Sequence, residues 1–139
     1  MSHAAEAHLR KAYQRLKEAE GMLSLGYAAA TLNRTYYAMF EAASALLARV
    51  GVEVESHEGL KIKFGELLVK TGKVEARFSR YLKRAYDLRD DADYALDERA
   101  YPSVAVGEGE LIKAREFVAM SEEFLKSEGG TSNPGSGVP

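Results

Sequence analysis

A chain of 139 residues is long enough for one domain and hardly for two. Apolar residues make up 46% of it, enough for a real core, and 19 Lys and Arg against 21 Asp and Glu leave a formal net charge of −2, so no global basic footprint points to nucleic acid. Cysteine is absent, which excludes disulfides and thiolate chemistry; no signal-peptide pattern and no apolar run of roughly 18 residues occurs, so a cytoplasmic protein off the membrane is expected.

Prolines stand only at Pro102, Pro134 and Pro139, so long helices are permitted almost everywhere. Leu9, Ala12, Tyr13, Leu16, Ala19 and Leu23 recur at three- and four-residue steps and predict a first helix over about Ala4 to Leu25, stopped by Gly26. A second helix is expected over about Tyr27 to Val50, closed by Gly51. Its first stripe is Leu32, Tyr36, Met39, Ala43, Leu46 and Val50, with Tyr37, Phe40, Ser44 and Leu47 beside it. Apolar over so much of its surface, this helix should be central in the fold. Ser56 is a good N-cap for a third helix ending near Thr71 and Gly72. A fourth should run from about Glu75 to Leu96, with Phe78, Tyr81, Leu82, Ala85, Leu88, Ala92, Ala95 and Leu96 on its apolar stripe. A fifth should start near Pro102 or Ser103 and reach about Leu125; Gly107 and Gly109 inside it suggest an irregular first turn or a close helix contact. The expected architecture is an all-α, antiparallel up-and-down bundle of four to five helices over residues 1–126. A disordered C-terminal tail, poor in anything that could be buried, is expected over 127–139.

Charge is unevenly spread. Residues 55–85 hold eight Lys/Arg and four Asp/Glu, whereas residues 86–110 hold two and eight. This is either a set of solvated helix faces or a bipolar surface that docks a charged partner or its own copy.

Three clusters could carry chemistry. In the run Asn33 to Phe40, Arg34, Tyr37, Ala38 and Glu41 share a face. An arginine in so apolar a helix needs partners, either an ion pair with Glu41 or an acidic residue of the fourth helix, or a phosphate lined by aromatics. In the run Arg89 to Tyr94, Arg89 and Asp93 are four apart and can meet beside the apolar stripe, with Tyr86 on the same side. Such a set could position a phosphodiester, but it lacks a base of near-neutral pKa. At the start of the third helix, His57 is either a local hydrogen-bonding residue or a site residue. No histidine or carboxylate set has ligand spacing, so no metal and no cofactor is expected.

Taken together, Arg34 with Tyr36 to Phe40, Ser56-His57 with Gly59, Val69 to Gly72, Leu88-Arg89 and Ala92-Asp93-Tyr94 resemble the HEPN superfamily, in its small stand-alone prokaryotic form of the UPF0332 type. The resemblance covers roughly residues 5–125. It implies a helical bundle, usually a homodimer, with a nucleotidyltransferase-like partner in a toxin–antitoxin-like module. Many members are metal-independent ribonucleases whose signature is an arginine followed after four to six residues by a histidine. Here Arg89 matches the arginine, but the following positions hold Tyr94, Ala95 and Leu96, and a phenol of reference pKa near 10 is a poor substitute for imidazole. The reading that follows is a dimeric nucleotide- or RNA-binding protein using Arg34, Tyr37, His57, Arg89 and Asp93. Two others stand beside it: a structural dimerisation or adaptor protein, and an active ribonuclease using Arg89, Asp93 and Tyr94.

Overall fold

The computed structural model describes residues 3–130. Five α-helices follow one another: α1 His3–Ser24, α2 Ala28–Arg49, α3 His57–Phe64, α4 Arg77–Asp93 and α5 Val104–Gly130. A π-helical turn, Gly65–Val69, continues α3, and a short 3-10 turn, Glu98–Ala100, lies between α4 and α5. There is no strand among the described residues, and none of their helices is long and apolar enough to cross a membrane. The all-α up-and-down bundle expected from the apolar spacing is the fold observed.

α2 is its axis. Thirteen of its 22 residues are buried, against three of 17 in α4, and it packs against α1, α3, α4 and α5. The α1–α2 seam is made of small residues: Ala5, Ala12 and Ala19, one per heptad, meet a helix whose Ala38, Ala42 and Ala45 are also fully buried. Alanine costs no side-chain entropy and lets two backbones come close, which explains why this alanine-rich pair is the most intimate contact in the fold. Gly26 and Gly51 end α1 and α2 with φ of +81° and +83°, a left-handed turn that a side chain would strain.

At the other end of the core, Phe64 of α3, Phe78 of α4 and Phe117 of α5 are buried together, with ring centroids 5.7 Å apart for Phe64–Phe117 and 5.4 Å for Phe78–Phe117. Gly107 marks the close helix contact anticipated for α5. A side chain there would meet Leu23 and Thr31, each 3.4 Å away, whereas Gly109 faces open space.

Three boundaries differ from the apolar pattern. The third helix does not run uniformly to Gly72: its last turn widens to a π turn, with the Lys70 amide donating to the Gly65 carbonyl at 2.9 Å. α4 stops at Asp93 rather than Leu96, so Leu96 is 99% exposed and does not pack. The reason is electrostatic, since Asp90, Asp91 and Asp93 crowd the end where a helix dipole favours cations, and no basic residue offsets them in the last turn. α5 runs on to Gly130. The rest of the expected tail, residues 131–139, lies outside the described residues.

Candidate functional site

The site is built where α2, α3 and α4 meet. The middle of α2 contributes Tyr36 and Tyr37, the first residue of α3 contributes His57, and α4 contributes Tyr86, Arg89 and Asp93. Ser56 fixes the start of α3 by accepting a hydrogen bond from the Gly59 amide at 3.0 Å, and so sets where the imidazole of His57 begins.

Arg89 is caged by aromatic rings. Its guanidinium carbon lies 5.1 Å from the centroid of Tyr36, 5.6 Å from Tyr37 and 5.3 Å from Tyr86. These are cation–π distances. Its Nη1 donates to the Tyr37 hydroxyl at 3.1 Å. Its Nε is buried without a hydrogen-bond partner, and the nearest carboxylate oxygen, on Asp93, is 3.9 Å away. A guanidinium has five N–H donors, and this one commits a single donor to the protein at hydrogen-bond length. It is a largely buried cation with spare donors, the state in which arginine binds phosphate or carboxylate well.

Next to the cage, the Tyr36 hydroxyl and His57 Nδ1 share a hydrogen bond of 3.1 Å. The imidazole lies flat on Tyr86, with centroids 3.7 Å apart and planes 13° from parallel. Burial pushes the Tyr36 phenol up, so it stays protonated; burial, together with the neighbouring Lys61 and Arg89, pushes His57 below its ordinary 6.5 despite Glu58 and Asp87. The Tyr36 hydroxyl thus engages Nδ1, and Nε2 is the ring nitrogen that this bond does not use. Together with Tyr86, His57 lines a cavity of about 370 Å³, whose other walls are Ser56, Glu58, Lys61, Lys83 and Asp87. Lys61 and Lys83 are exposed and paired with Glu58 at 3.7 Å and Asp87 at 2.9 Å, exchangeable contacts on the solvent side.

A stability consequence follows with a definite sign. Because the folded pKa of His57 lies below its unfolded value, the unfolded chain binds more protons between the two. The contribution is therefore complete above about pH 6.5 and fades as pH falls toward the folded value. The stability advantage of the wild type over His57→Gln, from urea midpoints, is expected to be larger at pH 7.5 than at pH 5; an advantage equal at both would contradict a half-buried, neutral imidazole.

The residues singled out from the sequence divide in two. Tyr37, His57, Arg89 and Asp93 are brought together. Arg34 is not: it is 41% exposed, its Nε is 2.8 Å from Glu18 of α1, and it also donates to Asn33. Neither Glu41 nor α4 supplies its partner, because Arg34 sits at the α1–α2 edge, and Glu41 instead bonds His8 at 2.7 Å. Tyr94 lies beyond the end of α4 and is 76% exposed, so its phenol does not meet Arg89 within the chain. Tyr36 is the residue the sequence left in the core stripe. It is indeed buried, but its hydroxyl and ring organise both His57 and Arg89. Among the described residues, no group of three or more histidines and carboxylates is placed to hold a metal ion.

Comparison with known proteins identifies the family. The HEPN domain family matches residues 5–129. A UPF0332 protein of Thermotoga maritima is 34% identical over 85 residues, which is 61% of this chain and 64% of the relative. A protein of Methanocaldococcus jannaschii named as a candidate toxin is 33% identical over 93 residues, 67% of each chain. A UPF0332 protein of Archaeoglobus fulgidus is 30% identical over 101 residues, 73% of this chain and 80% of the relative. Each match thus leaves part of the relative's length uncovered. With the family matching nearly all of the described helices, the chain belongs to the HEPN domain family.

Proposed function

We propose that this protein binds a nucleotide or RNA phosphate at Arg89 and acts, as a homodimer, in a toxin–antitoxin-like module with a nucleotidyltransferase-like partner. The observation that carries the binding reading is the guanidinium itself: caged by three tyrosines, largely buried, and with most of its donors uncommitted. Exposed cations are ordinary, but one held in an aromatic cage beside an open cavity is oriented before any ligand arrives. Tyr86 and His57 offer a stacking surface for a base, and Lys61 and Lys83 can exchange their carboxylate partners for phosphate oxygens. The toxin-like role rests on relatives named as candidate toxins, and the module on the family resemblance.

Binding is favoured over cleavage for a specific reason. Metal-independent cleavage of RNA needs a proton acceptor near the 2′-hydroxyl, and after four to six intervening residues Arg89 is followed by Tyr94, Ala95 and Leu96 in place of a histidine. The ribonuclease reading would instead use Arg89, Asp93 and Tyr94, whose phenol stands apart in solvent. A purely structural adaptor would leave the spare donors of Arg89 unused.

Incubating the protein with a mixed set of labelled RNAs in EDTA separates the three. The expected result is retention of RNA at low salt without cleavage. Cleavage lost in Arg89→Ala would move the account to the ribonuclease reading, and no retention of RNA or nucleotide at any salt would leave the adaptor.

A further inference from the structure

A second groove lies between α1 and α5, which run antiparallel: Tyr13 donates to Glu122, and Arg115 donates to Glu20 at 2.8 Å. Its volume is about 730 Å³, roughly twice that of the cavity beside His57, and its walls come from α1 and α5 alone. The Arg89 site is built from α2, α3 and α4, so the two share no residue. Arg10, Tyr13, Lys17 and Glu20 follow at steps of three, four and three and form one ridge of α1. Arg115, Ala119 and Glu122 form the facing ridge of α5, in which the small Ala119 leaves a gap. Leu16 lies buried beneath the first ridge.

The charges of these ridges do not balance. Each carboxylate is already engaged, Glu20 by Arg115, and Glu122 by Tyr13 and by Lys126 at 3.5 Å. Arg10 and Lys17 are exposed, line the groove, and have neither an ion pair nor a side-chain hydrogen bond among the described residues. An incoming molecule therefore meets two unengaged cations with an apolar strip between them. The spacing of those cations selects a shape. Seven residues of helix span about 10.5 Å, two turns, so a second α-helix lying along α1 presents carboxylates seven residues apart in register with both. An extended strand returns to the same face only every second residue, at about 6.6 and then about 13 Å, and so matches one cation at a time.

We propose that this groove seats an acidic amphipathic α-helix of a protein partner. Two of its carboxylates, seven residues apart, pair with Arg10 and Lys17. Small apolar side chains at the three- and four-residue steps between them rest on Leu16, Ala119 and the ring of Tyr13. A basic partner would meet repulsion from Arg10, Lys17 and Arg115. A nucleic acid would find two cations two turns apart, flanked by Glu20 and Glu122, rather than a continuous track. Because the groove shares no residue with the Arg89 site, a seated helix leaves Arg89 open, and the proposal does not depend on what Arg89 binds.

The test uses a labelled helical peptide with two glutamates seven residues apart and leucine and alanine between them. It is titrated into the full chain at about 0.05 M salt, where exposed charges are least screened, and followed by fluorescence anisotropy. The wild type is expected to bind it, and Arg10→Glu/Lys17→Glu to bind it at least about tenfold more weakly. Both side chains are exposed, and circular dichroism confirms that the bundle is intact in the variant. A peptide with lysines at the two glutamate positions should reverse the order, preferring the variant by at least about tenfold, and one with its glutamates four residues apart should bind the wild type at least about fivefold more weakly than the first. No binding to the wild type, binding indifferent to the double change, or equal binding of the two spacings overturns the proposal. So does a loss of RNA affinity in Arg10→Glu/Lys17→Glu as large as that in Arg89→Ala, which would make the groove part of an RNA surface instead.

Discussion

Phe117→Ala is expected to lose about 3–5 kcal/mol of stability, measured as a fall in the urea midpoint at unchanged slope. Phe117 is fully buried, and its ring touches those of Phe64 and Phe78, so three helices lean on one side chain. Deleting the ring removes its transfer free energy and two aromatic contacts, and it opens a cavity between helices that cannot easily close over it. A domain of this size has about 5–15 kcal/mol in total, so the variant should be near its unfolding threshold at physiological temperature. Ile112 on the same helix is 64% exposed, and Ile112→Ala should change the midpoint little. A loss below about 1 kcal/mol for Phe117→Ala would mean that the α3–α4–α5 junction is not the packed core described.

How much of this could be read from the residues follows from how local each signal is. The helices were legible because apolar periodicity, Gly26, Gly51 and Ser56 act within a few residues of themselves. α2 was legible as the central helix because its apolar surface is too wide for one partner. The end of α4 was not: Ala95 and Leu96 continue the apolar spacing, but the carboxylates before them oppose the helix dipole, and here charge outweighed pattern. The candidate site divides along the same line. Arg89 with Asp93 is an i, i+4 relation within one helix, and it could be read directly. The Arg34 pair with Glu18, the Glu41 pair with His8 and the Tyr36 bond to His57 each join two helices, and no spacing in one chain segment fixes how one helix is rotated against another. A buried tyrosine hydroxyl must find a partner, and that requirement was the signal that could have linked Tyr36 to a polar residue of a neighbouring helix.

The central claim is that Arg89 is held for a ligand and not for the fold, and stability and binding make opposite demands on it. A buried guanidinium carries a desolvation cost that its ring contacts and its single bond to Tyr37 only partly offset. Arg89→Met keeps much of the volume, removes that cost and leaves the Tyr37 hydroxyl half-buried, able to turn toward water. The variant should therefore fold with a urea midpoint equal to or above that of the wild type. A charge-assisted contact to phosphate contributes about 1.5–3 kcal/mol, so its affinity for RNA should fall about tenfold to a hundredfold. The most direct measurement is a titration of a short labelled RNA into wild type and Arg89→Met at about 0.05 M salt, where phosphate contacts are strongest, with a urea curve recorded on each sample. The account predicts tight, salt-sensitive binding by the wild type and its loss in a variant at least as stable. Equal binding by both proteins, or a variant that loses binding only because it has unfolded, would contradict it.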